Sequence, residues 1–168
     1  LGESEPIGFV GPWQCKTAAT YALYDALHPQ PRGNPILNAI AELNDLSDRS
    51  LLIVEDDKPF LERLSRAMET RGFAVTSCDT VSDGLAQIGK SAPAFAVVDL
   101  RLGDGNGLDV VSALKRKRPD ARTIVLTGYG NIATAVNAVK LGAFDYLAKP
   151  ADADDVVNAL LGGASKGE

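Results

Sequence analysis

From Ser50 onward, short runs of apolar and often β-branched residues alternate with segments whose apolar positions recur three and four residues apart. The first pattern marks buried strands and the second amphipathic helices. Strands are predicted over 51–54, 73–77, 94–98, 122–126 and 144–147, and helices over 58–71, 80–90, 108–118, 131–141 and 152–161. Pro59 suits the first turn of its helix, and Gly72 the position just past the end of it. AFAVV and TIVL are apolar at successive positions, as in strands of a parallel sheet covered by helices on both faces. Strand and helix alternating in this way predict a doubly wound α/β domain.

Residues 1–48 break the pattern. Pro6, Gly8, Gly11, Pro12, Pro29, Pro31, Gly33 and Pro35 divide the stretch into pieces too short for a core, although 16–27 and 36–46 could each form a short helix. The only tryptophan, Trp13, lies there. The expected organisation is therefore a flexible or partly helical N-terminal extension over 1–48, one α/β domain over 49–162, and the glycine-containing start of a linker over 163–168.

Composition narrows the function classes. A chain of 168 residues with 45% apolar content can bury one good core. A net charge of −5 argues against a nucleic-acid surface, which needs clustered Lys and Arg. The one basic run, Lys115-Arg116-Lys117-Arg118, falls at the end of a predicted helix, where cations complement the helix dipole. Cys15 and Cys78 show neither metal-ligand nor disulfide spacing, and Cys78 reads as packing at a strand end. His28, the only histidine, has no partner for a metal site or a triad. No apolar run is long enough to span a membrane, and the acidic start LGESEP lacks the features of a secretory signal. A cytoplasmic location without membrane contact is expected.

The chemistry gathers at strand ends. Glu55-Asp56-Asp57 follow LLIV, Asp99 follows FAVV, Thr127 closes IVL, and Lys149-Pro150 come shortly after FDYL. In an open parallel sheet the carboxyl ends share one edge, so these residues can converge on one ligand. Asp57 reads as the cap of the next helix. Glu55, Asp56 and Asp99 would repel one another unless a divalent cation lay between them, and carboxylate oxygens suit Mg²⁺. An ionised Asp99 could then attack a phosphoryl group, with Lys149 supplying an ammonium and Thr127 a hydroxyl. No glycine-rich turn follows the first strand, which argues against NAD or FAD binding. GDGNG at 103–107 lacks the Lys-Ser/Thr ending of a P-loop and reads as a tight loop.

LIVEDD, VVDLRL, LTGYG and DYLAKP, in this order and at these spacings, closely resemble the receiver domain of bacterial two-component response regulators. The resemblance covers residues 50–161. It implies a flavodoxin-like (CheY-like) five-stranded parallel sheet of order 2-1-3-4-5. It implies Asp99 as phospho-acceptor, Glu55 and Asp56 as metal acids with Asp99, and Arg101 as donor of a backbone carbonyl to Mg²⁺. Thr127 and Lys149 would contact the phosphoryl oxygens, and Tyr146 matches the aromatic switch that follows the threonine. The Lys149–Pro150 bond would be cis. Gly103 stands where most receivers carry proline; with LRLGDGNGLDV and GYGNIATAVNAVKLGAFDYLAKP, this resembles the RegA/PrrA/ActR group of transcription regulators, which carry a Fis-like helix-turn-helix.

The function so implied is acceptance of a phosphoryl group from a sensor histidine kinase, controlling transcription through a C-terminal DNA-binding domain beyond this chain. No DNA contact by the chain itself is expected. A homodimer could form through the fourth helix, fifth strand and fifth helix. Such a receiver is consumed stoichiometrically and is not an enzyme. The alternative is a Mg²⁺-dependent phosphohydrolase with an aspartyl-phosphate intermediate, but Glu55-Asp56-Asp57-Lys58 is not the DxDx[TV] motif such haloacid-dehalogenase-type enzymes carry. A pseudo-receiver acting by contact alone would not need the full acidic set.

Overall fold

The computed structural model describes residue 44, residues 46–128 and residues 132–161. The expectations for the extension up to residue 43, including Trp13, Cys15 and His28, and for the linker over 163–168 lie outside the described residues.

The domain alternates strand and helix: β1 (Ser50–Val54), α1 (Lys58–Thr70), β2 (Ala74–Cys78), α2 (Val81–Lys90), β3 (Phe95–Asp99), α3 (Leu108–Lys117), β4 (Arg122–Thr127), α4 (Ile132–Lys140), β5 (Asp145–Ala148) and α5 (Ala153–Leu161). These strands form one parallel sheet of order β2-β1-β3-β4-β5, the expected doubly wound arrangement. Between β3 and α3 a two-residue antiparallel ladder, Arg101–Leu102 with Gly105–Asn106, turns the expected tight loop into a small hairpin.

Side-chain alternation along each strand divides one apolar run between two cores. Leu51 and Ile53 of β1 face α1 and α5, packing with Leu64, Met68, Val157 and Leu160. Leu52 and Val54 face the other way, toward Ile88 of α2 and Val110 and Leu114 of α3. A third cluster joins Val111, Val125 and Ala138 beneath α4. Each fully buried Leu, Ile or Val stabilises the fold by about 2 kcal/mol, so helices on both faces hold the sheet in place.

Local signals set the element ends. Asp57 caps α1, its side chain accepting from the Phe60 amide at 3.2 Å, and Pro59 lies in the first turn. At the other end Gly72 adopts φ 101°, where a side chain would clash, letting its amide reach Glu69 and the Phe73 amide reach Met68. That second bond draws Phe73 out of the ladder, so β2 begins one residue later than the apolar run suggests. Among the described residues no helix is long and apolar enough to cross a membrane.

Candidate functional site

The sheet register brings the expected chemistry to one edge. Val54 of β1 pairs with both Cys78 and Val98, Asp99 with Leu126, and Thr127 with Ala148. Two further bonds extend the ladders past the strands: the Glu55 amide donates to the Cys78 carbonyl at 3.0 Å, and the Lys149 amide to the Thr127 carbonyl at 2.7 Å. Glu55 and Lys149 therefore leave the sheet in fixed directions.

These directions meet. Lys149 Nζ lies 2.7 Å from Asp99 Oδ2 and 2.6 Å from Glu55 Oε2. It donates a hydrogen bond to Asp99 Oδ2. At 2.6 Å the same ammonium also serves the buried Glu55 Oε2, so one cation bridges two carboxylates. The other oxygens are held by main chain: Asp99 Oδ1 accepts from the Arg101 amide at 3.0 Å, and Glu55 Oε1 from the Asp57 amide at 3.1 Å. The Phe60 ring lies 5.2 Å from the ammonium and adds a cation–π contact. The Lys149–Pro150 peptide is cis.

Glu55 and Asp99 are buried, whereas Asp56 is exposed. Burial pushes the Glu55 carboxyl above the usual range, and Lys149 and the Asp57 amide offset this only in part. Burial also opposes the charge on Lys149, but its contacts with Asp99 and Glu55 outweigh that and raise its pKa. One carboxylate oxygen from each of Glu55, Asp56 and Asp99 falls within 4.8 Å of the others. A cation with oxygen ligands at about 2.0–2.5 Å spans that distance. Three carboxylates facing one ammonium leave two negative charges uncompensated when ionised. The all-oxygen donors and the charge deficit fit a hard divalent cation.

Thr127 is buried at the end of β4, next to the acids along the same edge. Tyr146 stands apart from them, exposed on β5 opposite Val125. Val136, Val139, Leu141 and Phe144 are exposed apolar residues as well. The cause lies in α4, which turns Ala135 and Ala138 inward and leaves its larger valines outside. Cys78 is half-buried beside β1, and burial raises its thiol pKa, with Asp83 and Asp79 adding to the effect. The basic run is largely used in the fold: Lys115 donates to the Pro119 carbonyl, Lys117 to the Gly89 carbonyl, and Arg118 pairs with Asp48.

One residue at the site escaped sequence reasoning. Gly107 lies so close to Asp99 that a Cβ there would come 2.0 Å from the Asp99 carbonyl oxygen and 2.8 Å from Val98 Cγ1. Only glycine lets α3 start against the backbone of the acid. The one available signal was the glycine spacing of GDGNG.

Residues 51–161 match the family model described as the response regulator receiver domain. The chain is 66% identical over 114 residues to the acid tolerance regulatory protein ActR of Sinorhizobium medicae (strain WSM419), covering 68% of this chain and 59% of that protein. It is 65% identical over 122 residues to the photosynthetic apparatus regulatory protein RegA of Rhodobacter capsulatus, covering 73% and 65%. The chain thus spans less than two thirds of the length of either relative. Among solved structures, a response regulator from Burkholderia pseudomallei with a phosphorylated aspartic acid, calcium ion and citrate superposes with a TM-score of 0.64 at 43% identity, covering 67% of this chain and 66% of that one.

Proposed function

The chain belongs to the response regulator receiver domain family of two-component systems, with its CheY-like fold, and on that premise we propose that Asp99 accepts a phosphoryl group in a Mg²⁺-dependent reaction. The observation that carries this is the contact set of Asp99: a buried carboxylate at the sheet edge, paired with Lys149 at 2.7 Å and clustered with two further acids. The Burkholderia structure, with its phosphorylated aspartic acid and calcium ion, supports the same reading here.

A receiver implies a histidine kinase as partner, and the donor proposed is the phosphohistidine of such a sensor kinase. One Asp99 oxygen forms the new P–O bond in line with the P–N bond that breaks, and the electron pair departs on the imidazole nitrogen. Glu55, Asp56, Asp99 and the Arg101 carbonyl would hold Mg²⁺, which offsets the charge that otherwise keeps an anionic nucleophile from an anionic phosphoryl group. Lys149 is within reach of the incoming oxygens and trades its contact with Asp99 for one with them. Thr127, one strand over, supplies a hydroxyl to the same oxygens. A groove of 590 Å³ between α1 and the segment after Pro150, with Phe60, Arg63 and Asp154 in its walls, is the proposed seat of a donor domain.

The message proposed is a shift between two pre-existing surfaces. Thr127 moves toward the phosphoryl group, Tyr146 follows, and the α4–β5–α5 face becomes a homodimer contact. Control of transcription would then pass to a DNA-binding domain outside this chain, in the cytoplasm, and the receiver would act stoichiometrically and not as an enzyme.

The test is intact-mass and peptide mapping after acetyl phosphate treatment, with and without EDTA. Label confined to Asp99, dependent on Mg²⁺ and lost in Asp99→Asn, is expected. Acid-labile phosphate elsewhere, or labelling indifferent to chelation, would sink the assignment. Catalytic turnover of a small phosphate ester would favour the phosphohydrolase instead. Sedimentation of the same samples examines the α4–β5–α5 face, which is discarded if phosphorylation leaves association unchanged.

A further inference from the structure

The hairpin that follows β3 is fastened to Asp99 at its base. The Arg101 amide donates to Asp99 Oδ1, the Gly107 amide donates to the Leu100 carbonyl at 3.1 Å, and Gly107 presses on the Asp99 main chain. Arg101 pairs with Asn106 and Leu102 with Gly105. Gly103, Gly105 and Gly107 give this short segment wide backbone freedom, so its order must come from elsewhere.

The order comes from the tip. On one side the tip borders the exposed acid, since a Cβ added at Gly103 would stand 3.8 Å from Asp56 Oδ2. On the other side Asp104 reaches the first turn of α2. Its Oδ1 accepts from the Val81 amide at 2.8 Å, and its Oδ2 from the Ser82 amide at 3.1 Å and the Ser82 hydroxyl at 3.2 Å. The N-cap Thr80 uses its own Oγ1 for the Asp83 amide at 3.1 Å. Two of the helix's first amides are thus held by the hairpin, and a third by the helix's own cap. A carboxylate is well placed at a helix N-terminus for electrostatic reasons, but a cap for α2 need not come from the segment that carries Arg101 and borders Asp56.

We infer that Asp104 is a positioning residue for the divalent-cation site. By fastening the hairpin tip to α2, it fixes the Arg101 main chain relative to Asp56 and Asp99. The inference rests on the reading of Glu55, Asp56 and Asp99 as that site. Asp104 touches neither the cation nor the phosphoryl group; it acts through the hairpin.

The experiment compares Asp104→Ala, Asp104→Asn and Thr80→Ala in the whole chain. Mg²⁺ affinity is measured by calorimetry, and the Mg²⁺ concentration for half-maximal acetyl phosphate labelling is determined in parallel. Thr80→Ala removes the other cap of the same helix and so reports what loosening α2 does by itself. Asp104→Ala is expected to weaken Mg²⁺ binding about tenfold, the usual scale for residues that orient metal ligands, with labelling restored at saturating Mg²⁺. Asp104→Asn keeps an acceptor oxygen and should lose less. Thr80→Ala should lower the melting temperature while leaving Mg²⁺ affinity close to the parent value. Equal losses of affinity in Asp104→Ala and Thr80→Ala, or no loss in Asp104→Ala, would overturn the inference alone. A parent chain that binds no Mg²⁺ would overturn the cation reading and this inference with it.

Discussion

The two ends of the sheet treat charge in opposite ways. At the amino end, Asp48 accepts from the Ser50 amide at 3.0 Å and its hydroxyl at 2.6 Å, and pairs with Arg118 at 2.7 Å. Arg118 also donates to the Ala92 carbonyl at 3.1 Å. Arg122, the first residue of β4, donates to the Leu160 carbonyl at 3.0 Å and lies over the Phe144 ring. These charges face partners of opposite sign or main-chain acceptors. At the carboxyl end one ammonium pairs with Glu55 and Asp99, and the third acid of the cluster, Asp56, is exposed. The same strands carry both arrangements, so the imbalance belongs to the chemistry of one edge and not to the fold.

The strongest way to break this contrast is Lys149→Ala. Removing the ammonium leaves Glu55 and Asp99 buried without compensation, a loss of about 3–5 kcal/mol by analogy with broken buried ion pairs. Urea unfolding in EDTA should show that loss, and Mg²⁺ should restore much of it, because binding to the folded state stabilises by mass action. If Lys149→Ala is equally stable with and without chelator, the acids do not form a cation site. Gly107→Ala comes next. Its methyl would overlap the Asp99 carbonyl, so α3 or the acid must shift at about 1–3 kcal/mol, the range for overpacking. Thermal melting checks the loss, and an unchanged melting temperature would mean the contact is softer than the 2.0 Å overlap implies.

The amino end offers the smallest effect. Ser50 and then Arg118 hold the Asp48 carboxyl at about 2, below the roughly 3.9 of an unfolded aspartate. A depressed folded value means the stabilisation is complete above about pH 4 and fades as pH falls toward 2. The side chain is 43% exposed, so solvent screening limits the contribution to about 1 kcal/mol or less. Asp48→Asn should therefore flatten the acid limb of the stability curve between pH 4 and 2 and lower stability slightly at pH 7. Parallel acid limbs for parent and variant would assign that slope to other groups.

The acid edge was legible because β1, β3 and β4 are apolar runs that stop at polar residues, and parallel topology then collects the stops. The meeting of Glu55, Asp99 and Lys149 followed from this, whereas the strand order came from the resemblance to receiver domains. The grip of Asp104 on α2 did not, because it joins residues 22 and 23 apart through a turn whose shape depends on the fold. Gly107 was hidden for a different reason: its importance lies in the contact a missing Cβ would make. In α4 the sequence predicted a helix but not which side is buried: alanines fill the space under it and valines face outward. Phe73 was lost from β2 because a main-chain bond to Met68 competes with the ladder.

Lys149 has one more consequence. Small metal-binding domains often owe their folded state to the ion, and chelators denature them. Here the positive charge that makes two buried carboxylates tolerable is part of the chain and sits between them from the start. Under the proposal that Asp99 accepts a phosphoryl group with Mg²⁺, chelation is expected to stop the reaction while leaving the domain folded, because the compensating charge is Lys149 itself.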